Sequence, residues 1–453
     1  MSFDTLKLRL EEHAARTAIV SDGQAYSYRA LADEVARREQ QFRDAGIGAG
    51  DLVTLIGEFS FAAVASLLAL LFCRATVMPL TRQAHDKLRP QVDALAADAV
   101  VDSYSDAAPQ CRPRRPATDP LPDWRSGVPS TTGGLIVFTS GSTGVPKAIV
   151  HDIDALCYRY LARRAPVSAV CFLLFDHLGG INTALFLLFQ GGTVVNVASR
   201  QVDTVCQAIA RWQVQLLPTT PSFLSQLLLS RAQQRFDLSS LQVISYGTEV
   251  MSEAVLKKLN ELLPDCTFKQ TYGLSETGVL QIKSRSNDSL WFRFIDAGVE
   301  TRIADQVLWI KTRSNLLGKI VFADAGPVLE ASTSEWFCTN DLVATEGDDL
   351  MILGRQTDIV NVGGLKVYPS EVENCIHELP FVDEVFVKGK KNPLLGQIVV
   401  AYVQLSAAVE RPEAERLIRQ HCVRRLARYK VPSQLIFSAE NFVNDRFKKV
   451  RTP

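Results

Sequence analysis

The chain has 453 residues, 47 % of them apolar, with 49 basic and 49 acidic side chains and therefore a formal net charge of zero. These values are typical of globular proteins, and they exclude disordered, collagenous and coiled-coil chains. The charge balance argues against a dominant nucleic-acid or anionic-membrane partner, because such proteins usually carry a basic excess. At this length we expect about two to four structural units.

The first section of the chain alternates strands with helices. Strands are predicted at 17–20, 51–56 and 75–80, and helices at 27–45 and 61–72. Helices that alternate with apolar strands indicate a parallel α/β sheet. The longest apolar stretch, 61–73, is too short to span a bilayer, so a buried helix is predicted there and no membrane span.

A second alternating section follows and ends in a region of short strands. Strands are predicted at 194–197, 215–217, 241–245 and 267–270, and helices at 221–229 and 252–263. Residues 291–350 show short apolar runs separated by turn residues, which indicates a small β unit.

The last hundred residues have a pattern of their own. A hairpin is predicted at Gly363-Gly364, a capping box at Ser370 and Glu373, strands at 382–387 and 398–404, and a helix at 412–426. The predicted fold is therefore a large N-terminal α/β body with parallel sheets and a small β unit (1–354), followed by a small, mobile α+β C-terminal domain (355–453).

The cysteine pattern indicates the cellular compartment in which the protein is expected. The nine cysteines are widely spaced and contain no C-x-x-C pair, which excludes the common zinc frameworks and argues against a disulfide scaffold. Most lie in apolar contexts and are predicted to be small buried side chains. Since the N-terminus also lacks the pattern of a signal peptide, a cytoplasmic location is expected.

The most informative motif is Phe138-Thr-Ser-Gly-Ser-Thr-Gly-Val-Pro-Lys147. Its glycines allow backbone N–H groups to approach a polyanion, its hydroxyls donate to oxygens, and its lysine adds a positive charge. It is not a Walker A loop, because Pro146 and Ala148 flank the lysine where that pattern needs glycine and a hydroxyl residue. Apolar runs on both sides predict that the loop joins one strand to another.

Three further segments occur in a particular order after this loop. They are Tyr272-Gly-Leu-Ser-Glu-Thr277, Trp336-Phe-Cys-Thr-Asn-Asp341, in which Asp341 is predicted to lie in a loop, and the segment from Gly354-Arg to Gly363-Gly364. Together with the glycine-serine-threonine loop they resemble the superfamily of adenylate-forming, AMP-binding enzymes. That superfamily includes acyl-CoA synthetases, the adenylation domains of peptide synthetases, and luciferases.

The resemblance implies a set of contacts to ATP and Mg²⁺. The phosphate loop would hold the β- and γ-phosphates through Thr139, Ser140, Gly141, Ser142, Thr143, Gly144 and Lys147. Ser275 would reach the α-phosphate, and Glu276 would hold Mg²⁺, a cation that prefers carboxylate and phosphate oxygens.

The resemblance also implies an adenosine site. Tyr272 would stack on adenine, and Gly247 and Thr248 would line the adenine pocket. Asp341 would accept hydrogen bonds from the ribose hydroxyls, and Arg355 would contact the ribose or a phosphate. Asn340 stands where relatives have glycine, and asparagine tolerates a left-handed backbone better than most residues.

Near the C-terminus the resemblance implies a catalytic lysine. The tail Phe447-Lys448-Lys449-Val450 matches the family's lysine context at Lys449, although Lys448 replaces the usual preceding glycine and competes for the role. The hinge of the small domain would fall at Thr357, where aspartate or lysine is usual.

The acid and its acceptor are less clearly indicated. Phe175-Asp-His-Leu-Gly-Gly180 falls where the family shapes its acyl pocket. Alignment on His177 favours an aryl or acyl acid, whereas alignment on Asp176 would indicate a free-standing amino-acid adenylation enzyme. A catalytically degenerate nucleotide-binding protein is a second alternative, because Ala148, Asn340, Thr357 and Lys448 depart from the family pattern.

The predicted function is activation of a small carboxylic acid by ATP, with release of pyrophosphate, and transfer of the acyl group to a thiol. The acceptor would be coenzyme A, or the phosphopantetheine of an acyl or peptidyl carrier protein supplied in trans. Catalysis would consist mainly of positioning and charge neutralisation by Mg²⁺ and lysine, because two anions must be brought together.

Overall fold

The computed structural model describes residues 2–104, 110–111, 123–128, 133–139, 146–296, 298–312, 316–324, 326–332, 336–406 and 409–438. Residues 140–145 of the predicted phosphate loop lie outside these ranges, and they include the site residues Ser140, Gly141, Ser142, Thr143 and Gly144. Lys448 and Lys449 also lie outside them. No helix within these ranges is long and apolar enough to cross a bilayer.

The helices follow one another in this order: α1 (Thr5–Glu12), α2 (Tyr28–Asp44), α3 (Phe61–Phe72), α4 (Arg82–Lys87), α5 (Arg89–Ala94), α6 (Ile153–Tyr158), α7 (Leu178–Phe189), α8 (Val202–Trp212), α9 (Pro221–Ser230), α10 (Glu253–Leu262), α11 (Pro369–His377) and α12 (Arg411–Arg425). Short 3₁₀ turns occur at Asp123–Gly127, Ala232–Gln234, Gln356–Asp358 and Arg428–Lys430.

The strands are β1 (Thr17–Ser21), β2 (Gln24–Ser27), β3 (Leu52–Ile56), β4 (Thr76–Leu80), β5 (Ala99–Asp102), β6 (Gln110–Cys111), β7 (Gly134–Thr139), β8 (Lys147–Asp152), β9 (Ser168–Val170), β10 (Thr193–Val195), β11 (Leu216–Thr219), β12 (Val243–Tyr246), β13 (Thr267–Gln270), β14 (Tyr272–Leu274), β15 (Gly278–Leu280), β16 (Ile282–Ser284), β17 (Phe292–Phe294), β18 (Val299–Ala304), β19 (Val307–Thr312), β20 (Leu316–Ala323), β21 (Gly326–Ala331), β22 (Phe337–Glu346), β23 (Asp349–Arg355), β24 (Val360–Val362), β25 (Leu365–Val367), β26 (Val382–Asn392), β27 (Gly396–Leu405) and β28 (Gln434–Phe437).

Two large sheets form the N-terminal body. One has the strand order β13-β12-β11-β9-β10-β1-β2, and all its pairs are parallel except β1 with β2. The other has the order β21-β20-β8-β7-β4-β3-β5-β6, with parallel pairing from β7 to β5. The predicted parallel α/β body is thereby confirmed.

Helix α3 lies in the core shared by these two sheets. Every residue of α3 except Phe61 is buried, and the helix begins after Ser60, whose Oγ accepts a hydrogen bond of 3.0 Å from Ala63 N. Side chains from α2, α7 and both sheets belong to the same apolar cluster. The buried helix predicted at 61–72 is confirmed at both ends.

The predicted small β unit and the C-terminal α+β unit are also present. Strands β16, β17, β18, β19, β22 and β23 form an antiparallel sheet in the order β16-β17-β23-β22-β19-β18. In the C-terminal unit, β24 to β28 form one sheet that shares an apolar cluster with α11 and α12. Gly363 and Gly364 make the predicted hairpin turn with φ of +58° and +86°, a conformation that glycine adopts without strain.

The cysteine prediction is confirmed for the residues whose side chains the structure describes. These cysteines are free thiols, and all are buried except the half-buried Cys338. The side chain of Cys111 lies outside the described part of the structure.

The capping box predicted at Ser370 and Glu373 is wrong. Helix α11 begins two residues earlier than that pattern requires, with Pro369 in its first position and Tyr368 before it. The Ser370 hydroxyl donates instead to the carbonyl oxygen of Leu353 in the body. Glu373 is buried, and its Oε1 accepts a hydrogen bond of 2.9 Å from the backbone N–H of Val387 in β26.

A second hydrogen bond links the two units at the same place. The Tyr368 hydroxyl donates to Gln306 Oε1 at 2.8 Å, and Gln306 lies in the turn between β18 and β19. Tyr368 and Ser370 therefore both attach the start of α11 to the body.

The role of Glu373 gives a prediction about local stability. We expect Glu373→Ala to lower the free energy of opening of β26 by about 2 kcal/mol, because it removes a charged acceptor from a buried N–H. Amide hydrogen exchange of β26 measures this directly.

Glu371→Ala on the same helix is the matched control. The Glu371 carboxylate binds Lys430 Nζ at 2.6 Å near the surface, and its removal should cost less than about 1 kcal/mol. Equal effects of the two substitutions would show that the buried hydrogen bond of Glu373 adds nothing beyond a surface ion pair.

Candidate active site

The candidate site lies where parallel strands of the first large sheet end. Strands β11, β12 and β13 are neighbours and run in the same direction. Gly247 follows β12, and Tyr272 stands two residues after the end of β13. The carboxyl ends of parallel strands are the usual position of ligand sites in α/β proteins.

Gly247 is fixed by a close approach to the next strand. A Cβ atom at this position would lie 2.4 Å from Thr271 Oγ1 and 2.7 Å from the Thr271 carbonyl oxygen. Thr271 is itself held, because its N–H donates to the Tyr246 carbonyl at 2.7 Å. Only glycine fits at 247 without movement of the backbone, and this brings the turn after β12 against the start of β14.

Tyr272, Asp341 and Arg355 meet although they are far apart in sequence. The Tyr272 hydroxyl donates to Asp341 Oδ2 at 2.6 Å, and Arg355 Nε lies 3.3 Å from Asp341 Oδ1. Asp341 and Arg355 face each other across β22 and β23. The structure therefore brings together three of the residues assigned to adenosine.

Burial governs the protonation of this cluster. Burial raises the pKa of Tyr272 well above its ordinary value, and the neighbouring Asp341 carboxylate raises it further, so the hydroxyl is a donor. Burial also raises the pKa of Asp341, whereas the charge of Arg355 opposes that rise. The side chain of Arg355 is more than half exposed, so its charge is screened by water.

Two neighbours in sequence orient Asp341, and one of them was not predicted. Thr339 Oγ1 donates to the Leu308 carbonyl at 2.7 Å and accepts from Asp341 N at 3.0 Å. Asn340 adopts φ of +59°, the left-handed conformation expected where relatives have glycine. Asp341 lies within β22 and not in a loop, which corrects that prediction. The signal in the sequence for this role is a threonine two residues before the carboxylate.

The ring of Tyr272 packs into the apolar core of the small β unit. It is 7 % exposed, it stacks on Phe292 with a centroid distance of 6.0 Å, and Phe294 meets it edge-on at 5.6 Å. Its role as the platform for adenine stays a prediction.

Ser275 and Glu276 lie in the turn of the hairpin formed by β14 and β15. Both are half-buried, and Thr277 closes the turn by accepting from Leu274 N at 3.1 Å. Helix α7, which begins after His177, contacts β15 of this hairpin. The hairpin therefore lies between the residues assigned to adenosine and helix α7.

His177 and Asp176 lie directly before α7. His177 caps this helix, since its Nδ1 accepts a hydrogen bond of 3.0 Å from Gly179 N, which places the proton of a neutral ring on Nε2. Asp176 is buried, with 3 % of its surface exposed. A Cβ on Gly180 would lie 2.5 Å from the Leu174 carbonyl oxygen, so the first turn of α7 packs tightly against the segment before it.

The remaining predicted residues mark the phosphate loop and the hinge. Thr139 and Lys147 pair across β7 and β8, so the motif joins one strand to another as predicted, and the two strands are antiparallel. Its six central residues, 140–145, lie outside the described part of the chain. Thr357 lies in the 3₁₀ turn between β23 and β24, where its hydroxyl donates to Asp358 Oδ1 at 3.3 Å.

Comparisons with known proteins identify the family. Residues 6–306 match the family model of AMP-binding enzymes, and residues 371–446 match that of the AMP-binding enzyme C-terminal domain. The chain is 26 % identical to an indoleacetate–CoA ligase of Aromatoleum aromaticum, over 95 % of this chain and 94 % of that protein. It is 27 % identical to a feruloyl-CoA synthase of an Amycolatopsis species, over 96 % of this chain and 94 % of that protein.

Solved structures share the fold. The anthranilate CoA ligase AuaEII, solved in complex with anthranoyl-AMP, has a TM-score of 0.77 at 18 % identity, covering 99 % of this chain and 95 % of that one. The amide bond synthetase McbA from Marinactinospora thermotolerans has a TM-score of 0.76 at 20 % identity, covering 98 % and 97 %. From the site geometry and the match over most of its length, the chain belongs to the family of AMP-binding, adenylate-forming enzymes and is a ligase.

Proposed function

We propose that this ligase activates an aryl or acyl carboxylic acid as its acyl-adenylate and transfers the acyl group to coenzyme A. The observation that supports the proposal is the Tyr272–Asp341–Arg355 cluster, in which a buried carboxylate suited to accept hydrogen bonds from ribose hydroxyls is held by a tyrosine and an arginine. The full-length similarity to CoA ligases of aryl acids supports the choice of acid and of acceptor.

In this proposal each part of the site has one task. Asp341 accepts hydrogen bonds from the ribose hydroxyls, and Gly247 and Thr248 form a wall beside adenine. Lys147 and the loop before it neutralise the β- and γ-phosphates, and Ser275 contacts the α-phosphate. Lys449 stabilises the charge that develops when the substrate carboxylate attacks the α-phosphorus and pyrophosphate leaves.

Glu276 is the proposed ligand of Mg²⁺. Mg²⁺ typically takes one or two protein carboxylates together with substrate phosphates and water. The half-buried Glu276 in the turn beside Ser275 supplies one such carboxylate, so its chemistry fits a cation that arrives with ATP. Bound there, the ion would lower the charge repulsion between the two anionic reactants.

The two-unit organisation is part of the proposal. The body would comprise residues 1–354 and the mobile unit 355–453, with Thr357 as hinge, so that the small unit presents Lys449 for the first step and leaves for the second. A carrier-protein phosphopantetheine supplied in trans is the alternative acceptor.

A pyrophosphate-release assay tests the proposal. We expect release that depends on an aryl or acyl acid, and formation of a thioester when coenzyme A is added. The panel contains aryl, fatty and amino acids, each assayed with coenzyme A and with a phosphopantetheinylated carrier. The absence of acid-dependent release across the panel would overturn the proposal.

The buried Asp176 distinguishes the alternative of an amino-acid adenylation enzyme. Such an enzyme would respond best to amino acids, and Asp176→Asn, which keeps the shape and removes the charge, would raise KM for them strongly. For an aryl or acyl acid the same substitution should change KM less than about fivefold, because no ammonium group is present to pair with the carboxylate.

A further inference from the structure

The turn after β12 contains a strained residue. Thr248 adopts φ of +72°, a left-handed conformation that is unusual for any residue with a side chain and especially so for a β-branched one. Such a conformation persists only where the surrounding structure enforces it, and it is typical of functional sites. Contacts of the neighbouring residues therefore hold Thr248 in this conformation.

On one side the turn is held by its neighbour Gly247. As described above, Gly247 packs against Thr271 so closely that no Cβ fits. Thr271 donates both its N–H and its hydroxyl to the Tyr246 carbonyl, at 2.7 Å and 3.0 Å. The backbone directly before Thr248 is thereby fixed to the start of the segment that carries Tyr272.

On the other side the turn is held by Glu249. Its Oε2 accepts two hydrogen bonds from Ser222, one of 2.7 Å from the hydroxyl and one of 3.2 Å from the backbone N–H. Ser222 is the second residue of α9 and is buried. A carboxylate at this end of a helix is also stabilised by the positive end of the helix dipole.

The sheet explains why these two segments meet. Strands β11 and β12 are parallel neighbours, and Thr219 at the end of β11 pairs with Tyr246 at the end of β12. The residues that follow them, 220–222 and 247–249, therefore emerge side by side at the same edge. Glu249 connects the two at that point.

We infer that Glu249 is a positioning residue for the nucleotide: it attaches the turn 247–249 to α9 and so holds Thr248 and Gly247 in the form that lines the adenine pocket. The inference rests on the proposed function, which assigns adenine to this turn. Glu249 acts through Thr248 and not through contact with the ligand.

Separate binding measurements with AMP and with inorganic pyrophosphate test this inference in the full chain. We expect Glu249→Ala to weaken AMP binding about tenfold and to leave pyrophosphate binding unchanged, because only AMP uses the adenine wall. Glu249→Gln, which keeps an acceptor oxygen but not the charge, should weaken AMP binding less, by about threefold.

Ser222→Ala provides the second variant, since it removes the stronger donor and leaves the backbone N–H. Its effect on AMP binding should largely disappear in the Glu249→Ala background, because both substitutions break the same contact.

Glu253→Gln, in the exposed first turn of α10, is the control for removal of a nearby charge. Ser27→Ala is the control for loss of a helix-capping hydroxyl far from the site, as Ser27 Oγ accepts from Ala30 N at 3.1 Å. Neither control should alter AMP binding.

The outcomes are distinguishable. Failure of the wild-type chain to bind AMP would overturn the proposed function and this inference with it. Normal AMP binding by Glu249→Ala, or equal losses for AMP and pyrophosphate, would overturn the inference alone and leave the proposed function standing.

Discussion

Asp341→Ala is expected to lower kcat/KM for ATP about a hundredfold, because a buried carboxylate that accepts hydrogen bonds from two hydroxyls contributes about 2–3 kcal/mol. The variant retains Arg355 at the surface and the aromatic packing of Tyr272 on Phe292. Acid-dependent pyrophosphate release at increasing ATP concentrations gives this ratio.

Deoxynucleotides make the same experiment specific for ribose. Wild type should use 2′-deoxy-ATP and 3′-deoxy-ATP less well than ATP, whereas Asp341→Ala should treat the three nucleotides almost alike. Tyr272→Phe is the matched control, because it removes the 2.6 Å hydrogen bond to Asp341 but keeps the ring. It should lower kcat/KM for ATP less than about tenfold. Persistent discrimination in Asp341→Ala would place the ribose contact elsewhere.

Lys449→Ala is expected to lower the rate of acid-dependent exchange between pyrophosphate and ATP by a factor of about 10² to 10³. A positive charge aimed at the developing transition state is worth that much when it is removed. AMP binding should be unchanged, because in the proposed mechanism the lysine acts on the reacting phosphate only in the transition state. The measurement is exchange of labelled pyrophosphate under saturating acid.

Lys448→Ala is the control, as it removes the same charge one residue away. This substitution should lower the rate of pyrophosphate–ATP exchange less than about tenfold. A larger loss for Lys448→Ala than for Lys449→Ala would move the catalytic role to Lys448. Wild-type chain that binds ATP without exchange, whatever the acid, would favour the catalytically degenerate alternative.

Local patterns predicted most of the elements because their causes are local. The helix at 61–72 follows from a serine cap and an unbroken apolar run, and the hairpin at Gly363-Gly364 follows from the backbone freedom of glycine. The loop between β7 and β8 was recognisable as a connection between strands because both flanks are apolar. The meeting of Tyr272, Asp341 and Arg355 was implied only by family resemblance, since nothing in the spacing of these residues indicates contact.

The wrong capping box and the unpredicted role of Glu249 share a different cause, because each side chain is bound by a partner that is distant in sequence. Ser370 and Glu373 have the spacing of a capping box, but Ser370 is bonded to Leu353 and Glu373 to Val387, both outside the helix. Glu249 could not be predicted from the sequence, because its partner Ser222 comes close to it only when strands β11 and β12 lie side by side in the sheet. Strand order is set by the whole sheet and cannot be read from either segment.

The position of α3 between two sheets has a consequence for how the sequence can vary. A surface helix such as α2 buries one stripe, so its tolerance to substitution should rise and fall with the helical repeat of about 3.6 residues. Along α3 this periodic variation in tolerance should be absent, because the helix has no face turned to water. A saturation-mutagenesis map of the chain should therefore show a continuous block from Ala62 to Phe72 in which side-chain volume, and not polarity on alternate faces, decides which residues are accepted.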